Sequence, residues 1–333
     1  MHLLFWEVLM NATVAMQRAI ELSQLGLGKT KGNPIVGAVI FNESGIISEG
    51  FHQSGPHAEV VAINNAKVDL TNCSIAISLE PCNHHGKTPP CTDALIASGI
   101  KKVYFAVKDP NEIASGGAEK LKTAGIEVES GLLEKEAAFA NRAWLSSIKL
   151  KRPYFTWKVA ITLDGKIAAA DGSSKWISNE TSRAYVAKMR NQSDAILVGT
   201  GTVLNDNPNL VSENQALRVA VGNRDIDSNA NISDNRAPFY HHKSRDLEAL
   251  AAELKNRGVV NVLVEAGPTL GSALIKAGLI DEIAIFTAPK LLGAGSSFVG
   301  DLGISNIKDA LNLNLIESQN FDGDLFNRYQ VVR

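Results

Sequence analysis

The sequence predicts an α/β fold in each of two successive domains, and three observations carry that expectation. Short β-branched runs alternate with segments of helical apolar spacing along the chain. A basic stretch ending in proline, Lys149-Leu150-Lys151-Arg152-Pro153, interrupts the alternation near the middle and sets the expected boundary between 1–148 and 149–333. The length of 333 residues suffices for two ordinary domains, and a composition 45% hydrophobic and 20% charged suits a protein with sizeable cores.

Taken in order, Ala12, Ala15, Met16, Ala19 and Ile20 recur at helical spacing and predict a helix over 12–25, ended by Gly26 and Gly28. Val36–Phe41 and Ile46–Phe51 read as strands about an Asn42-Glu43-Ser44-Gly45 turn. A helix over 57–67, a strand over Ser74–Leu79, a helix over Cys91–Ser98 and a strand over Val103–Val107 follow. Residues 116–124 read as helix, Glu127–Glu129 as extended, and 134–148 as one helix. In the second half Tyr154–Ile161, Ala195–Gly199, Leu217–Val221, Val260–Glu265 and Glu282–Ala288 read as strands. Helices are expected over 179–191, 245–257 and 268–278, and 222–244 reads as polar and irregular.

Charge and cysteine content narrow the function. The formal net charge is -2, without the basic surplus that a nucleic-acid binder needs to displace counterions, so a small-molecule substrate is expected. Three cysteines, Cys73, Cys82 and Cys91, argue against a disulfide framework and for a reducing, cytoplasmic setting. No apolar run approaches the ~20 residues that span a bilayer. The apolar opening Met1–Met10 lacks a basic n-region and is interrupted by Glu7, so it reads as a short extra segment rather than a signal peptide, with Met10 an alternative start.

Chemistry concentrates in His57-Ala58-Glu59, Pro81-Cys82 and Pro90-Cys91. One His and two Cys give three zinc ligands and leave the fourth tetrahedral position for water, the pattern of a catalytic zinc. Zinc lowers the pKa of such a water to ~7, and a carboxylate that is not a ligand must move its protons. Glu59, two residues from His57, suits that task, and a helix N-terminus favours the Cys91 thiolate. Zinc deaminases share an H-x-E … P-C-x-x-C signature; here the segment Asn83–Pro90 is inserted between the cysteines. His84 or His85 could instead supply a fourth ligand and close the site. Cys73, just before a strand, reads as a buried small hydrophobe.

The insertion is also the most specific family mark. Leu79-Glu80-Pro81-Cys82-Asn83-His84-His85-Gly86-Lys87-Thr88-Pro89-Pro90-Cys91 resembles the bifunctional riboflavin-biosynthesis deaminase/reductase family, as do Asn33-Pro34-Ile35-Val36-Gly37, Lys108-Asp109-Pro110-Asn111, Leu163-Asp164-Gly165-Lys166, Ser174-Lys175-Trp176-Ile177-Ser178 and Val264-Glu265-Ala266-Gly267-Pro268. The resemblance implies a cytidine-deaminase-like α/β/α zinc domain followed by a dihydrofolate-reductase-like α/β domain. The first would hydrolytically deaminate a phosphorylated diaminopyrimidine. The second would reduce its ribosyl group to ribityl with NADPH.

By that resemblance His57, Cys82 and Cys91 hold Zn2+ and Glu59 is catalytic, while Asn33, His52, His84, Lys87 and Asn111 bind the deaminase substrate. Ala160, Trp176, Thr202, Asp206 and the turn Gly267, Pro268, Thr269, Leu270, Gly271, Ser272 and Ala273 lie against NADPH. Ser174, Arg190, Leu210 and Glu265 contact the reductase substrate, and Lys158, in mid-strand, is a further candidate near the chemistry. No GxGxxG is present; a strand running into small residues at a helix N-terminus is the physical argument for a pyrophosphate there. The expected partner is a small phosphorylated pyrimidine, with neither nucleic acid nor membrane, in a homo-oligomer.

Three departures matter. Where the family has a second arginine this chain has Glu213: either the loop after Leu210 is displaced and Glu213 faces solvent, or another cation takes over the substrate phosphate, with Arg218 the expected candidate. Residues 214–260 are also short, so part of the NADPH pocket is expected to be remodelled. After Asp109-Pro110-Asn111 the family's proline is Glu112. A deaminase carrying a degenerate, non-catalytic C-terminal binding domain is therefore the alternative. A nucleic-acid-editing deaminase is opposed by the charge balance and the long insertion.

Overall fold

The computed structural model describes residues 11–84, 89–111 and 116–332. The chain divides into two compact units between Lys149 and Leu150. In the first, the elements are α1 (Ala12–Ser23), β1 (Gly37–Asn42), β2 (Gly45–Phe51), α2 (Ala58–Asn65), β3 (Ser74–Leu79), α3 (Cys91–Ser98), β4 (Lys102–Val107), α4 (Gly117–Thr123), β5 (Glu127–Ser130), α5 (Glu134–Ala140) and α6 (Arg142–Leu150). Among the described residues the strands form one sheet in the order β2-β1-β3-β4-β5. β1 pairs antiparallel with β2 and β3, while β3, β4 and β5 run parallel.

Local chemistry explains the frame of this unit. Asn11 caps α1, its Oδ1 accepting from Val14 N at 3.0 Å. The buried run of β1 and β3, with Val39, Ile40, Ile75 and Ile77 at 0% exposure, has helices packed against it, which is why these strands read as continuous apolar runs. Gly50 sets the position of α2: a Cβ there would lie 2.3 Å from Ala58 O, so only glycine lets the start of this helix sit on β2. The helix expected over 134–148 is broken at Asn141, which is buried and whose Oδ1 accepts from Ile35 N at 3.3 Å. The break lets α6 present Trp144 to the loop before β1.

The second unit contains β6 (Tyr154–Thr162), β7 (Lys166–Ala168), α7 (Glu180–Asn191), β8 (Ala195–Gly199), α8 (Thr200–Asp206), β9 (Leu217–Val221), β10 (Phe239–His242), α9 (Leu247–Asn256), β11 (Asn261–Val264), α10 (Pro268–Lys276), β12 (Ile280–Ala288), β13 (Ser296–Ser297), β14 (Leu313–Phe321) and β15 (Asp324–Val331). The main sheet has the order β10-β9-β8-β11-β6-β12-β15-β14, parallel from β10 to β12 and antiparallel over the last two pairings. Phe155, Trp157, Leu197, Val219, Val262 and Leu274 form its core.

Several elements went unpredicted. The region 222–244, expected to be irregular, contains the edge strand β10. The β14–β15 hairpin was missed although Asp322-Gly323 is a strong turn signal; both residues take positive φ, 49° and 98°, as a type I′ turn requires. β14 is largely exposed, which hides its alternation.

Candidate active sites

In the first unit, three loops bring the metal-type ligands together. His57 is the N-cap residue of α2, Cys82 follows the C-terminal end of β3, and Cys91 opens α3. His57 Nδ1 lies 3.1 Å from Cys91 Sγ and 3.5 Å from Cys82 Sγ, and the three donor atoms fall within 4.8 Å of one another. Zn–N and Zn–S bonds of usual length at a tetrahedral angle place such donors about 3.5 Å apart, so both spacing and donor chemistry fit zinc. Cys91 N donates to Cys82 Sγ at 3.4 Å. The Cys91 thiol and His57 hold the Cys82 sulfur ionised, its pKa down at about 4, and Cys91 is pushed up in return because the two sulfurs share a proton. Zinc held by His57, Cys82 and Cys91 would take that proton's place.

No fourth ligand joins this cluster among the described residues. His84 stands in the wall of the adjoining cavity but outside the triad; His85 lies outside the described residues.

Glu59, in the first turn of α2, is buried, and that burial pushes its pKa up to about 6. His52 is also buried and its pKa is lowered, chiefly by burial, so it stands neutral. Its Nδ1 is 3.1 Å from Pro56 O, a contact that requires the proton on Nδ1 and leaves Nε2 a bare acceptor without a partner among the described residues.

A cavity of about 270 Å³ opens on these groups and is lined by Asn33, His52, His57, Glu59, Cys82, His84 and Asn111. Lys87 and Glu112 lie outside the described residues. Sequence reasoning missed Trp144 and Ile148 of α6, which wall this cavity, and Glu80. The Glu80 carboxylate accepts from Asp109 N at 3.3 Å and Ala118 N at 3.2 Å, and so holds the loop that carries Asn111. Its place between Leu79 and Pro81-Cys82 was the available signal.

The second unit has a cavity of about 540 Å³ beyond the C-terminal ends of β8 and β11 and beside β6. Lys158, Ala160, Ser174, Trp176, Arg190, Thr202, Asp206, Leu210, Glu265 and Gly267 all line it. At its floor Arg190 holds Glu265 in a two-pronged bond, Nε to Oε1 at 2.6 Å and Nη2 to Oε2 at 2.9 Å, and Lys158 Nζ lies 3.6 Å from Oε2. Burial alone would raise the Glu265 pKa, but Lys158 and Arg190 more than offset it, so the carboxylate stays ionised. Lys158 points into the site rather than to solvent. Lys290 Nζ donates to Trp176 O and Ile177 O, both at 2.8 Å, and anchors the loop that carries the exposed Trp176.

The turn over 267–273 divides. Gly267, Pro268, Thr269, Leu270 and Ala273 line a second cavity, of about 770 Å³. Gly271 and Ser272 face inward instead. A Cβ on Gly271 would lie 2.1 Å from the Trp157 ring, and Ser272 Oγ accepts from Gly300 N at 2.8 Å. Gly271 serves the packing of α10 on the sheet and Ser272 ties α10 to the loop at Gly300, and neither lines a cavity.

Arg218 is a further correction. It is 0% exposed, and its guanidinium donates to Asn209 O, Asn231 O, Asp234 Oδ1, Asp234 O and Ala237 O. It is locked in the loop packing behind β9 and cannot reach a substrate. Glu213 is exposed and stands outside the cavity lining. The cation that sequence reasoning missed is Arg183 of α7, which lines the 540 Å³ cavity, stacks 4.5 Å from the Trp176 ring and donates to Ser178 O at 2.6 Å. Its place on α7, one face with Arg190, was the signal.

Comparison with known families bears on both units. Residues 10–107 match the cytidine and deoxycytidylate deaminase zinc-binding region, and residues 153–326 match the RibD C-terminal domain. The riboflavin biosynthesis protein RibD of Mycobacterium tuberculosis is 44% identical over 309 residues, covering 89% of this chain and 91% of that one. The chain belongs to the RibD family. RibD of Escherichia coli is 36% identical, over 89% of this chain and 92% of its own. Two solved structures agree: a diaminohydroxyphosphoribosylaminopyrimidine deaminase/5-amino-6-(5-phosphoribosylamino)uracil reductase from Thermotoga maritima, 35% identical with a TM-score of 0.89, covers 96% of this chain and 99% of that one. RibD of Acinetobacter baumannii, also 35% identical, has a TM-score of 0.87 over 97% of this chain and 99% of its own. Like its RibD relatives, the chain thus pairs a zinc deaminase-like domain with a dihydrofolate-reductase-like one.

Proposed function

We propose that residues 1–148 deaminate a diaminohydroxyphosphoribosylaminopyrimidine and that residues 149–333 reduce the ribosyl group of the product to ribityl with NADPH, a riboflavin-pathway sequence. The observation that carries this is the coincidence, in one cavity, of the His57–Cys82–Cys91 triad with a buried carboxylate, Glu59, whose pKa of about 6 suits proton transfer near neutrality. Zinc held by the triad would supply an activated water and a Lewis acid. Glu59 then takes a proton at its carboxylate and passes it to the departing amine. Asn33, His52, His84 and Asn111 orient the base, and the Nε2 lone pair of His52 is an acceptor suited to an exocyclic amino group. Lys87, in the loop between the cysteines, is the basic group assigned to the substrate phosphate.

In the second unit NADPH would supply the hydride. Lys158 Nζ, oriented by Glu265, donates a hydrogen bond to the oxygen that gains charge as the hydride arrives. Ser174 and Leu210 shape the substrate end, while Ala160, Trp176, Thr202 and Asp206 receive the nicotinamide end. Arg190 fixes Glu265, and Arg183 is the cation nearest to hand for the phosphate. The buried Lys158–Glu265–Arg190 cluster favours a working reductase over a degenerate binding domain, because burying charges is costly and such clusters in a cavity wall are characteristic of functional sites. No helix among the described residues is long and apolar enough to cross a membrane. A homo-oligomeric, cytoplasmic protein completes the reading, and size-exclusion chromatography with light scattering tests the assembly.

The deciding experiment supplies purified protein with the diaminopyrimidine phosphate, with and without NADPH, and identifies products by mass. The expected result is a deaminated product without NADPH and its doubly hydrogenated form with it. A deaminated product alone under both conditions would overturn the reductase half.

A further inference from the structure

The cavity of about 770 Å³ has one-sided charge. Arg224 and Arg245 line it, and no Asp or Glu does. The two arginines come from neighbouring places in the sheet. β9 and β10 are adjacent and parallel, with Val221 in register with His242, and Arg224 and Arg245 stand at equivalent positions beyond those strand ends. Ligands of open parallel sheets bind outside these carboxyl ends.

The two loops are fastened to each other. Gly222 N donates to His242 O at 3.1 Å, His241 Nε2 lies 2.9 Å from Gly222 O, and Lys243 pairs with Asp225 at 2.6 Å. The last pair cancels the charges beside the arginines. Neither Arg224 nor Arg245 has an ion pair with another described residue, and both are exposed at the cavity rim. Unpaired guanidinium groups from two fastened loops, with no carboxylate opposite, suit a phosphate monoester, which they can grip through paired N–H donors. A site for an adenosine with a free 2′-hydroxyl places a carboxylate on it instead. This cavity also shares Thr202 and Gly267 with the one that holds Lys158 and Glu265, so a single two-ended ligand can occupy both.

Resting on the reductase reading above, we propose that Arg224 and Arg245 grip the adenosine 2′-phosphate of the dinucleotide and so make this unit select NADPH over NADH. The 2′-phosphate, with about -1.5 to -2 charges, is the one group that distinguishes the two cofactors. In NADH a hydroxyl replaces it, and the arginines then gain nothing over water.

The test measures the dissociation constants of NADPH and NADH for the full-length protein and for Arg224→Ala, Arg245→Ala and the double variant, with melting temperature as the check on folding. For each single variant the NADPH constant should rise about tenfold, and for the double variant roughly a hundredfold, while the NADH constant moves less than about threefold. Adenosine 2′-phosphate should compete with NADPH on the wild type and lose that advantage on the double variant. If the wild type binds NADPH tightly but the double variant binds it equally well, or the wild type binds both cofactors alike, the arginine assignment is overturned while the reductase reading stands. A rise confined to the KM of the pyrimidine phosphate assigns this cavity to substrate and overturns it too. Wild-type protein that binds neither dinucleotide overturns the reductase reading, and this inference with it.

Discussion

Replacing Arg218 by Ala should destabilise the second unit rather than weaken its hold on substrate. The guanidinium is fully buried and donates to four backbone carbonyls and the Asp234 carboxylate. Removing it strands those acceptors in a site that the replacement side chain cannot refill. Buried acceptors left unpaired cost ~1–3 kcal/mol each, so losing several together costs ~3–5 kcal/mol, and for a domain of this size each kcal/mol lowers the melting temperature by about 2–4 °C. The expected drop is therefore about 6–20 °C in calorimetry. Reductase KM for the phosphorylated substrate, measured well below the transition, should change by less than about twofold. Glu213→Ala, at an exposed position, should leave both quantities where they are. A protein that melts within about 2 °C of wild type yet shows a tenfold KM increase would refute the reasoning and return Arg218 to the substrate site.

Glu59→Gln should keep zinc, measured by elemental analysis, and lose deamination by ~10²–10⁴-fold, while still reducing pre-formed deaminated substrate. Because Glu59 must be ionised to accept a proton and its burial raises its pKa, wild-type deamination should fall on the acid side of neutrality as Glu59 takes up a proton; an acid limb left unchanged in Glu59→Asp would remove Glu59 as its source. Cys91→Ser should lower zinc content and deamination together, and stripping zinc with a chelator should abolish deamination while sparing reduction. Gly271→Leu should destabilise the second unit, since a side chain there meets the Trp157 ring; an unchanged melting temperature would contradict that packing.

Much of the deaminase site was legible because its signals are local. His57-Ala58-Glu59 reads as one piece, and Pro81-Cys82 and Cys91 each sit where a strand ends or a helix begins, so their chemistry could be named without knowing how the loops meet. The apolar runs of β1, β3 and β11 were legible for the same reason: strands buried on both faces show as largely hydrophobic stretches. The sequence by itself thus determined the α/β class of both units, the His57–Cys82–Cys91 triad with the Glu59 carboxylate beside it, and many of the residues that line the second unit's cavity, Lys158 and Glu265 among them. What only the tertiary structure decided are the matters that depend on distant neighbours. Arg218 and Arg183 look equally available as letters in a sequence. Residues brought from Asn209, Asn231, Asp234 and Ala237 bury the first, and the cavity beside Trp176 exposes the second to a ligand. Gly271 and Ser272 are indistinguishable from cofactor-binding small residues until α10 is seen lying on Trp157. A charged or small residue carries no mark of which way it faces; only the elements packed around it supply that.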